Sequence, residues 1–235
     1  MAAPEGKPAA ITPLPAPPDA DRIVLFGGTF DPPHRAHVRL ACAARDWAAG
    51  PGAWLVFVPA ARSPFKDEAP ARDPHRVEML RIAAEEAPGA CVWTDEIDRA
   101  ARGEPSFWIE TLRRARALRP RGSFWFILGS DQAAAFHRWR EPREILSLAR
   151  PVILARAPLT TPDELGAALR DSGAWSADEI ARARALLAPT PVLDASATAA
   201  REILRARGPD DPRLGVMLHP GVLAYVREHG LYAGR

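Results

Sequence analysis

The chain contains 235 residues, of which 47% are hydrophobic and 26% are charged, and its formal net charge is +2. These proportions are typical of a soluble globular protein, and so small a net charge argues against nucleic-acid binding through bulk electrostatics. No apolar run approaches the roughly 20 residues of a membrane-spanning helix, and residues 1–20 lack the apolar core of a secretory signal. The two cysteines, Cys42 and Cys91, are far apart and show no metal-binding spacing. We therefore expect a cytoplasmic protein with reduced cysteines and no nucleic-acid or membrane partner.

Periodic patterns start only after the first 20 residues. Residues 1–20 are rich in proline and alanine, and we predict a flexible tail there, followed by one domain over 21–235 in which 158–188 is a candidate helical insertion. The predicted strands are 22–27, 53–59, 91–94, 123–129, 151–155 and 190–194. The predicted helices are 34–48, 74–87, 106–118, 132–138, 141–149, 162–171, 176–187, 197–207 and 219–229.

This alternation of strands and helices predicts an α/β fold. The strand candidates are short apolar runs without strict alternation, as expected of strands that are buried on both faces. We therefore predict a Rossmann-like, doubly wound parallel sheet of about six strands with helices on both faces. In such sheets a ligand binds beyond the carboxyl ends of the strands. Gly27-Gly28 and Gly129-Ser130-Asp131 both fall at such ends, so we expect them to meet at one crevice.

The first chemical signal follows the first strand. An apolar run ends in Gly27-Gly28, and His34 and His37 then lie three residues apart at a helix start, which places both on one helix face. The histidines could be structural, or could bind zinc, although no third ligand has suitable spacing. The glycine turn and the unpaired N–H groups of the helix start instead favour phosphate contact.

A lysine follows the second strand. Of the 31 basic residues only Lys7 and Lys66 are lysine, so Lys66 stands out in the folded part of the chain. Its predicted place is the same edge of the sheet as the histidines, where an ammonium group can neutralise phosphate charge. A solvated loop lysine is the alternative.

Polar and aromatic residues follow the fourth and fifth strands. Asp131 stands at a strand end, where a carboxylate can accept hydrogen bonds from ribose hydroxyls. Trp139 comes eight residues later and can stack on a flat ring, although core packing is the usual role of tryptophan. Arg156, at the end of the fifth strand, is a candidate contact for a nucleotide phosphate.

The last signal is a helix start near the C-terminus. Ser196 can cap a helix whose first N–H groups face a phosphate, Thr198 can add a hydroxyl donor, and Arg201 can pair with phosphate oxygens through its guanidinium group. An ordinary capped surface helix is the alternative.

Several of these segments resemble a known superfamily. G-G-T-F-D-P-P-H-R-A-H, at 27–37, is similar to the signature of the (H/T)-x-G-H nucleotidyltransferases, with Ala36 where they have glycine. S-A-T-A-A-R, at 196–201, is similar to their second signature. Together with S-P-F-K, P-S-F-W-I-E-T-L at 105–112, L-G-S-D and F-H-R-W, these segments resemble the bacterial nicotinate-nucleotide adenylyltransferase family of NAD biosynthesis. That family has P-S-Y-T where this chain has Pro-Ser-Phe107-Trp108.

The resemblance implies a reaction in which the phosphate of nicotinate mononucleotide attacks the α-phosphorus of ATP, giving deamido-NAD and pyrophosphate. It implies that Mg²⁺ arrives with ATP and that the protein offers no dedicated metal ligands. The implied catalytic residues are His34, His37, Lys66 and Arg201. The implied ATP-binding residues are Gly27, Gly28, Thr29, Phe30, Arg156, Ser196 and Thr198. The implied mononucleotide-binding residues are Trp108, Gly129, Asp131, Trp139 and Arg140.

Alternatives remain open at this point. The chain could be another member of the superfamily, such as a pantetheine-phosphate adenylyltransferase or a cytidylyltransferase, or a catalytically silent nucleotide-binding protein. The preference for nicotinate over nicotinamide mononucleotide is also open, as are the role of 158–188 and the oligomeric state, for which a homo-oligomer is one option.

Overall fold

A parallel sheet of five strands forms the centre of the part of the chain that the structure describes. The computed structural model describes residues 11–61, 71–191 and 196–233. The strands are β1 (Arg22–Gly28), β2 (Trp54–Pro59), β3 (Ala90–Val92), β4 (Ser123–Gly129) and β5 (Arg150–Leu154). They lie in the order β3-β2-β1-β4-β5, and every neighbouring pair is parallel. The order reverses between β1 and β4, which is where such folds place their ligand.

Helices connect the strands and follow the predicted segments closely. Their bounds are α1 (Arg35–Ala49), α2 (Asp73–Ala84), α3 (Asp95–Ala101), α4 (Trp108–Leu118), α5 (Ser130–Ala134), α6 (Pro142–Leu148), α7 (Pro162–Asp171), α8 (Ala177–Ala185), α9 (Ala197–Arg207), α10 (Pro212–Met217) and α11 (Pro220–Glu228). The predicted helix 132–138 is in fact α5 and a separate 3₁₀ turn, Phe136–Arg138. The sequence did not predict α3 and α10, because two turns are too short to show a helical period.

Both faces of the sheet are covered, since alternate residues of the central strands pack into two separate apolar clusters. Val24 belongs to one cluster, with residues of α1, α2, α9, α10 and α11. Ile23 and Leu25 belong to the other, with residues of α4, α6, α7 and α8. All three side chains are fully buried. The predicted doubly wound α/β architecture is confirmed.

The free edge of β5 differs from the prediction. Of the predicted sixth strand, 190–194, residues 192–194 lie outside the described part of the chain, and 190–191 are not in a strand. An isolated parallel bridge joins Ile153 to Leu187 instead. A short extended segment before 190–194 therefore makes the edge contact.

Residues 11–20 do not form a flexible tail. Leu14 and Ala16 are buried in the cluster that contains Ile23. The Trp93 indole donates to the main-chain oxygen of Thr12 at 3.0 Å, and Arg119 donates to that of Ala16 at 2.9 Å. The tail prediction is therefore wrong for 11–20, because a proline-rich segment without periodicity can still pack through a few apolar side chains; residues 1–10 lie outside the described part.

The segment 158–188 folds as the hairpin of α7 and α8. Leu165, Leu169 and Ile180 turn into the core on the β5 side of the sheet. Trp175, in the connection, stacks on Phe136 with ring centroids 6.2 Å apart. The hairpin therefore covers the sheet edge and supports the segment after α5. Among the described residues, no helix combines the length and apolar character of a membrane span.

Candidate active site

A cleft of about 1150 Å³ lies at the carboxyl ends of β1, β4 and β5. The sequence predicts a ligand at this edge of the sheet, and most of the predicted site residues line the cleft. Those that line it are Gly27, Gly28, Thr29, Phe30, His34, His37, Trp108, Gly129, Trp139, Arg140, Arg156, Ser196 and Arg201. Thr198 and Asp131 do not line it, and Lys66 lies in 62–70, outside the described part of the chain.

The two histidines form one unit at the start of α1. His34 caps the helix: its Nδ1 accepts the backbone N–H of His37 at 3.3 Å, and the Nδ1 of His37 accepts the backbone N–H of His34 at 3.2 Å. The rings stack with centroids 3.5 Å apart. An imidazole whose Nδ1 accepts a hydrogen bond carries its proton on Nε2 when it is neutral. The pair therefore has two fixed Nε2–H donors, and both rings line the cleft.

Burial keeps both rings neutral. It lowers the pKa of His34 to about 4, with the positive charge of Arg156 acting in the same direction. Burial also lowers the pKa of His37 well below its ordinary value, helped by the neighbouring His34 and by Arg156. Neutral rings can stack without repulsion, and each still donates to an anionic oxygen. The pair is thus suited to hydrogen-bonding phosphate rather than to transferring protons.

The position of Arg156 depends on a buried serine. The Ser130 hydroxyl lies 2.6 Å from the main-chain oxygen of Leu159 and accepts the backbone N–H of Arg156 at 2.9 Å. Ser130 is fully buried at the end of β4. It therefore ties β4 to the segment after β5, and so holds Arg156 at the mouth of the cleft.

Aromatic rings occupy the space beside the two glycines of β1. A Cβ atom on Gly27 would lie 2.7 Å from the Trp108 ring, and one on Gly28 would lie 2.9 Å from the Phe30 ring. Phe30 itself has φ of +49°, a conformation uncommon outside glycine. The sequence interpretation, that the glycines leave room for a ligand, is incomplete: they also leave room for two aromatic side chains that shape the cleft.

Arg76 braces the turn after β1, and sequence reasoning missed it. Its guanidinium donates to the main-chain oxygens of Thr29 at 2.5 Å and Ala60 at 2.7 Å, and to Asp73 at 2.7 Å. It is 1% exposed. A signal was present, since Arg76 lies four residues before Leu80 and so falls on the apolar face of α2.

The start of α9 faces the cleft as predicted. Ser196 caps the helix by accepting the backbone N–H of Ala199 at 3.0 Å. Arg201 donates to the main-chain oxygen of Asp31 at 2.6 Å and to the Thr198 hydroxyl at 3.2 Å. Thr198 is exposed, contacts Arg201 and does not line the cleft.

The opposite wall of the cleft is aromatic. Trp108 packs on Phe126, Phe126 on Phe136, and Phe136 on Trp139, with successive centroids 6.3, 5.9 and 5.0 Å apart. Trp139 thus packs against Phe136 on one side and lines the cleft. The Arg140 guanidinium lies 4.8 Å from the centre of the Phe107 ring, which closes the outer end of this wall.

Asp131 lies at the predicted strand end, between the cleft-lining residues Gly129 and Gln132. Its carboxylate lies 3.8 Å from the Arg156 guanidinium, and its Oδ1 lies 2.4 Å from where a Cβ on Gly129 would stand. A side chain at position 129 would therefore displace the Asp131 carboxylate from this position. In this conformation Asp131 pairs with a cationic residue of the cleft rather than lining the cleft itself.

A buried ionic network holds the segment that carries Phe107 and Trp108. Arg99, 1% exposed, donates to Asp95 at 3.1 Å, to the Thr111 hydroxyl at 2.7 Å and to the main-chain oxygen of Pro105 at 3.0 Å.

A second contact holds the same segment. The Ser106 hydroxyl donates to Glu96, a buried acid that lines the cleft. Burial raises the pKa of Glu96. Sequence reasoning missed this network, because its charged residues lie on the short helix α3.

A comparison with known protein families shows which family the chain belongs to. The family model "Cytidylyltransferase-like" matches residues 25–203, which run from β1 into α9 and contain both signature segments. The chain therefore belongs to the cytidylyltransferase-like nucleotidyltransferases.

Similarity to individual proteins narrows the family. The chain is 35% identical to a "Probable nicotinate-nucleotide adenylyltransferase" of Stenotrophomonas maltophilia, over 89% of this chain and 96% of the relative. It is 36% identical to a protein of the same name in Albidiferax ferrireducens, over 90% of this chain and 98% of the relative. The chain belongs to the nicotinate-nucleotide adenylyltransferase family.

A solved structure agrees on the fold. The chain is similar to Plasmodium falciparum nicotinic acid mononucleotide adenylyltransferase complexed with NaAD, with a TM-score of 0.62 and 18% sequence identity, over 90% of this chain and 97% of that one. At this identity the likeness concerns the fold alone.

Proposed function

We propose that this chain transfers the adenylyl group of ATP to nicotinate mononucleotide, giving deamido-NAD and pyrophosphate. The observation that carries the proposal is the stacked pair of His34 and His37, whose Nδ1 atoms are both engaged and whose Nε2–H groups are donors in a cleft at the switch point. The names of the relatives supply the substrate pair.

The proposed reaction is an in-line displacement at phosphorus. An oxygen of the mononucleotide phosphate forms a bond to the α-phosphorus of ATP while the bond to the pyrophosphate oxygen breaks. No protein nucleophile is required, so the protein contributes positioning and stabilisation of developing charge. His34 and His37 donate to the phosphoryl oxygens, and the start of α9 with Arg201 binds the outer ATP phosphates.

Other charges complete the ATP half of the site. Arg156 lies at the mouth of the cleft, where its guanidinium can pair with phosphate oxygens; Lys66, outside the described residues, is proposed to bridge the phosphates of the two substrates. Thr29 and the backbone of Gly27, Gly28 and Phe30 form the turn that surrounds the α-phosphate.

Magnesium is proposed to enter with ATP. In the part of the chain that the structure describes, no three His, Cys, Asp or Glu side chains cluster as a metal site, while the donors of the cleft are N–H groups that suit anions. Magnesium commonly keeps several waters and binds through substrate phosphates. When bound, it neutralises part of the triphosphate charge, and the protein residues hold the phosphates that carry it.

The aromatic wall is proposed as the mononucleotide half. The Trp139 face offers a stacking surface for the pyridine ring, and Trp108 with Arg140 bounds the ring at its outer edge. The backbone N–H groups next to these side chains are candidate partners of the nicotinate carboxylate. Gly129 and Asp131 adjoin the same end of β4, where the ribose would lie.

We place this activity in the cytoplasm, where both cysteines would stay free, as the structure has them.

The test is a substrate panel. Pyrophosphate release is measured with Mg·ATP and either nicotinate or nicotinamide mononucleotide at equal concentration, and with CTP in place of ATP. We expect release with ATP and a strong preference for the nicotinate form. Release only with CTP, or no release with either mononucleotide, would overturn the proposal in favour of another transferase or of a silent nucleotide-binding protein.

A further inference from the structure

The C-terminal segment of the described chain closes onto the turn that precedes the histidine pair. The Tyr232 hydroxyl donates to Asp31 Oδ1 at 2.5 Å, across a sequence separation of 201 residues. Asp31 is 1% exposed and lines the cleft. Its main-chain oxygen accepts a hydrogen bond from Arg201 at 2.6 Å. Asp31 therefore connects a residue near the C-terminus to an arginine of the proposed ATP site.

The carboxyl group of Asp31 depends on few donors. Besides Tyr232, the backbone N–H of Ala71 donates to Oδ1 at 3.1 Å. Oδ2 is buried and has no partner among the described residues. A buried carboxyl group is costly unless hydrogen bonds satisfy it. The Tyr232 hydroxyl is thus one of two donors in the described part of the chain that hold this side chain in place.

The backbone at both ends of this contact is strained. Phe30, next to Asp31, has φ of +49°, and Tyr232 has φ of +62°. Non-glycine residues rarely adopt such angles, and they keep them where surrounding contacts fix the chain. Tyr232 also packs against the apolar cluster that contains α1 and α9. The contact is therefore built into the fold rather than made by a loose end.

We propose that Tyr232 is a positioning residue for the ATP site. Its hydroxyl fixes Asp31, and the main-chain oxygen of Asp31 fixes Arg201 at the cleft. Tyr232 does not line the cleft itself, so it acts through these two residues. This inference rests on the proposed function for the identity of the nucleotide, and it adds a residue outside both signature segments.

The chain offers a matched control. Tyr225, on α11, also makes a partly buried side-chain hydrogen bond, with its hydroxyl 3.0 Å from His75 Nδ1, but it does not line the cleft or contact Asp31. Tyr232→Phe and Tyr225→Phe each remove a single oxygen. Any difference between them reports on the connection to Arg201 rather than on the general loss of a tyrosine hydroxyl.

The experiment compares ATP binding by titration calorimetry with steady-state kinetics and melting temperature for both variants. Because Tyr232→Phe leaves the buried carboxyl group of Asp31 with one donor fewer, we expect it to weaken ATP binding and kcat/KM for ATP by about tenfold. The KM for the mononucleotide should stay within about twofold, since that half of the site is untouched. Tyr225→Phe should leave the ATP affinity, the kcat/KM for ATP and the KM for the mononucleotide unchanged.

A double variant tests whether Tyr232 affects ATP binding through Arg201. In the Arg201→Ala background, Tyr232→Phe should weaken ATP binding no further. Additive losses, or equal ATP affinities for Tyr232→Phe and Tyr225→Phe, would overturn the inference. Because the first measure is binding, the outcome is distinct from failure of the proposed function, which would show as normal ATP binding by the wild-type chain without pyrophosphate release.

Discussion

His34 and His37 hold each other through their own backbones, with each Nδ1 accepting the other's N–H and the rings 3.5 Å apart. This exchange fixes the tautomer, the ring orientation and the start of α1 together. A substitution of either residue therefore removes a ring N–H donor from the cleft and also disturbs the helix cap. The donors of the cleft and the local stability of α1 thus depend on the same two side chains.

The buried histidines make stability depend on pH. Because the pKa of His34 falls to about 4 on folding from an ordinary value of 6.5, the unfolded chain binds the proton first as pH falls. The stability contributed by the neutral ring is present above pH 6.5 and is lost as pH falls toward 4. We expect the unfolding free energy of the wild type to fall by up to about 3 kcal/mol more than that of His34→Asn across this window, measured by urea unfolding.

The comparison with His34→Asn contains its own control. Asp31 and Glu96, whose pKa values are raised by burial, act in the opposite direction, since their folded forms hold protons more tightly. They titrate in both proteins, so their effect cancels in the difference. Parallel curves for the two proteins would contradict the assignment of a buried neutral imidazole.

The packing of Trp108 on Gly27 predicts a coupled pair of substitutions. Gly27→Ala would place a methyl group 2.7 Å from the Trp108 ring, and we expect it to destabilise the fold by about 1–3 kcal/mol. Trp108→Thr removes that ring, so the double variant should lose clearly less than the sum of the two single losses in a thermal unfolding cycle.

Gly215→Ala is the matched control for this cycle, because a Cβ there meets nothing within 4 Å. We expect it to leave stability unchanged or slightly raised, as alanine favours helix. Strictly additive losses for Gly27→Ala and Trp108→Thr would show that the two side chains do not compete for the same space.

The buried guanidinium of Arg76 predicts a large stability loss. Arg76→Met keeps the aliphatic stem but leaves three acceptors without their donor, and we expect a cost of about 3–5 kcal/mol in urea unfolding. Arg81→Met, on the same helix but with a side chain 56% exposed, should change stability by less than about 0.5 kcal/mol. Similar losses for both would mean that Arg76 does not brace the turn.

The aromatic wall predicts a selective kinetic defect. Trp139→Leu keeps an apolar side chain against Phe136 but removes the stacking face, so we expect the KM for nicotinate mononucleotide to rise about tenfold. The KM for ATP should not change. Trp47→Leu, at a side chain 44% exposed and outside the cleft, should affect neither value. A rise in the KM for ATP alone would place the adenine ring, not the pyridine ring, on Trp139.

Much of this architecture could be predicted from the sequence, for physical reasons. Strands buried on both faces appear as continuous apolar runs, and this is why β1 and β4 were placed to within a residue or two. The cleft followed, since parallel strands bring Gly27-Gly28 and Gly129 to the same edge of the sheet. The signature segments contain His34, His37, Ser196 and Arg201, and all four residues line this cleft.

The remaining features depend on contacts between distant segments. Nothing local to Tyr232 shows that its hydroxyl reaches Asp31, and nothing near Ser130 shows that it holds Arg156. Arg99 lies on a helix too short to show a period. The pairing of Asp131 with Arg156 is likewise visible only in three dimensions.

The most direct test of the account is the rate of pyrophosphate release by His37→Ala with saturating Mg·ATP and nicotinate mononucleotide. Loss of one preorganised donor from a phosphoryl-transfer site should lower kcat by about 100-fold or more, with the variant still folded by circular dichroism. A kcat within a few-fold of the wild-type value would contradict the role assigned to the histidine pair.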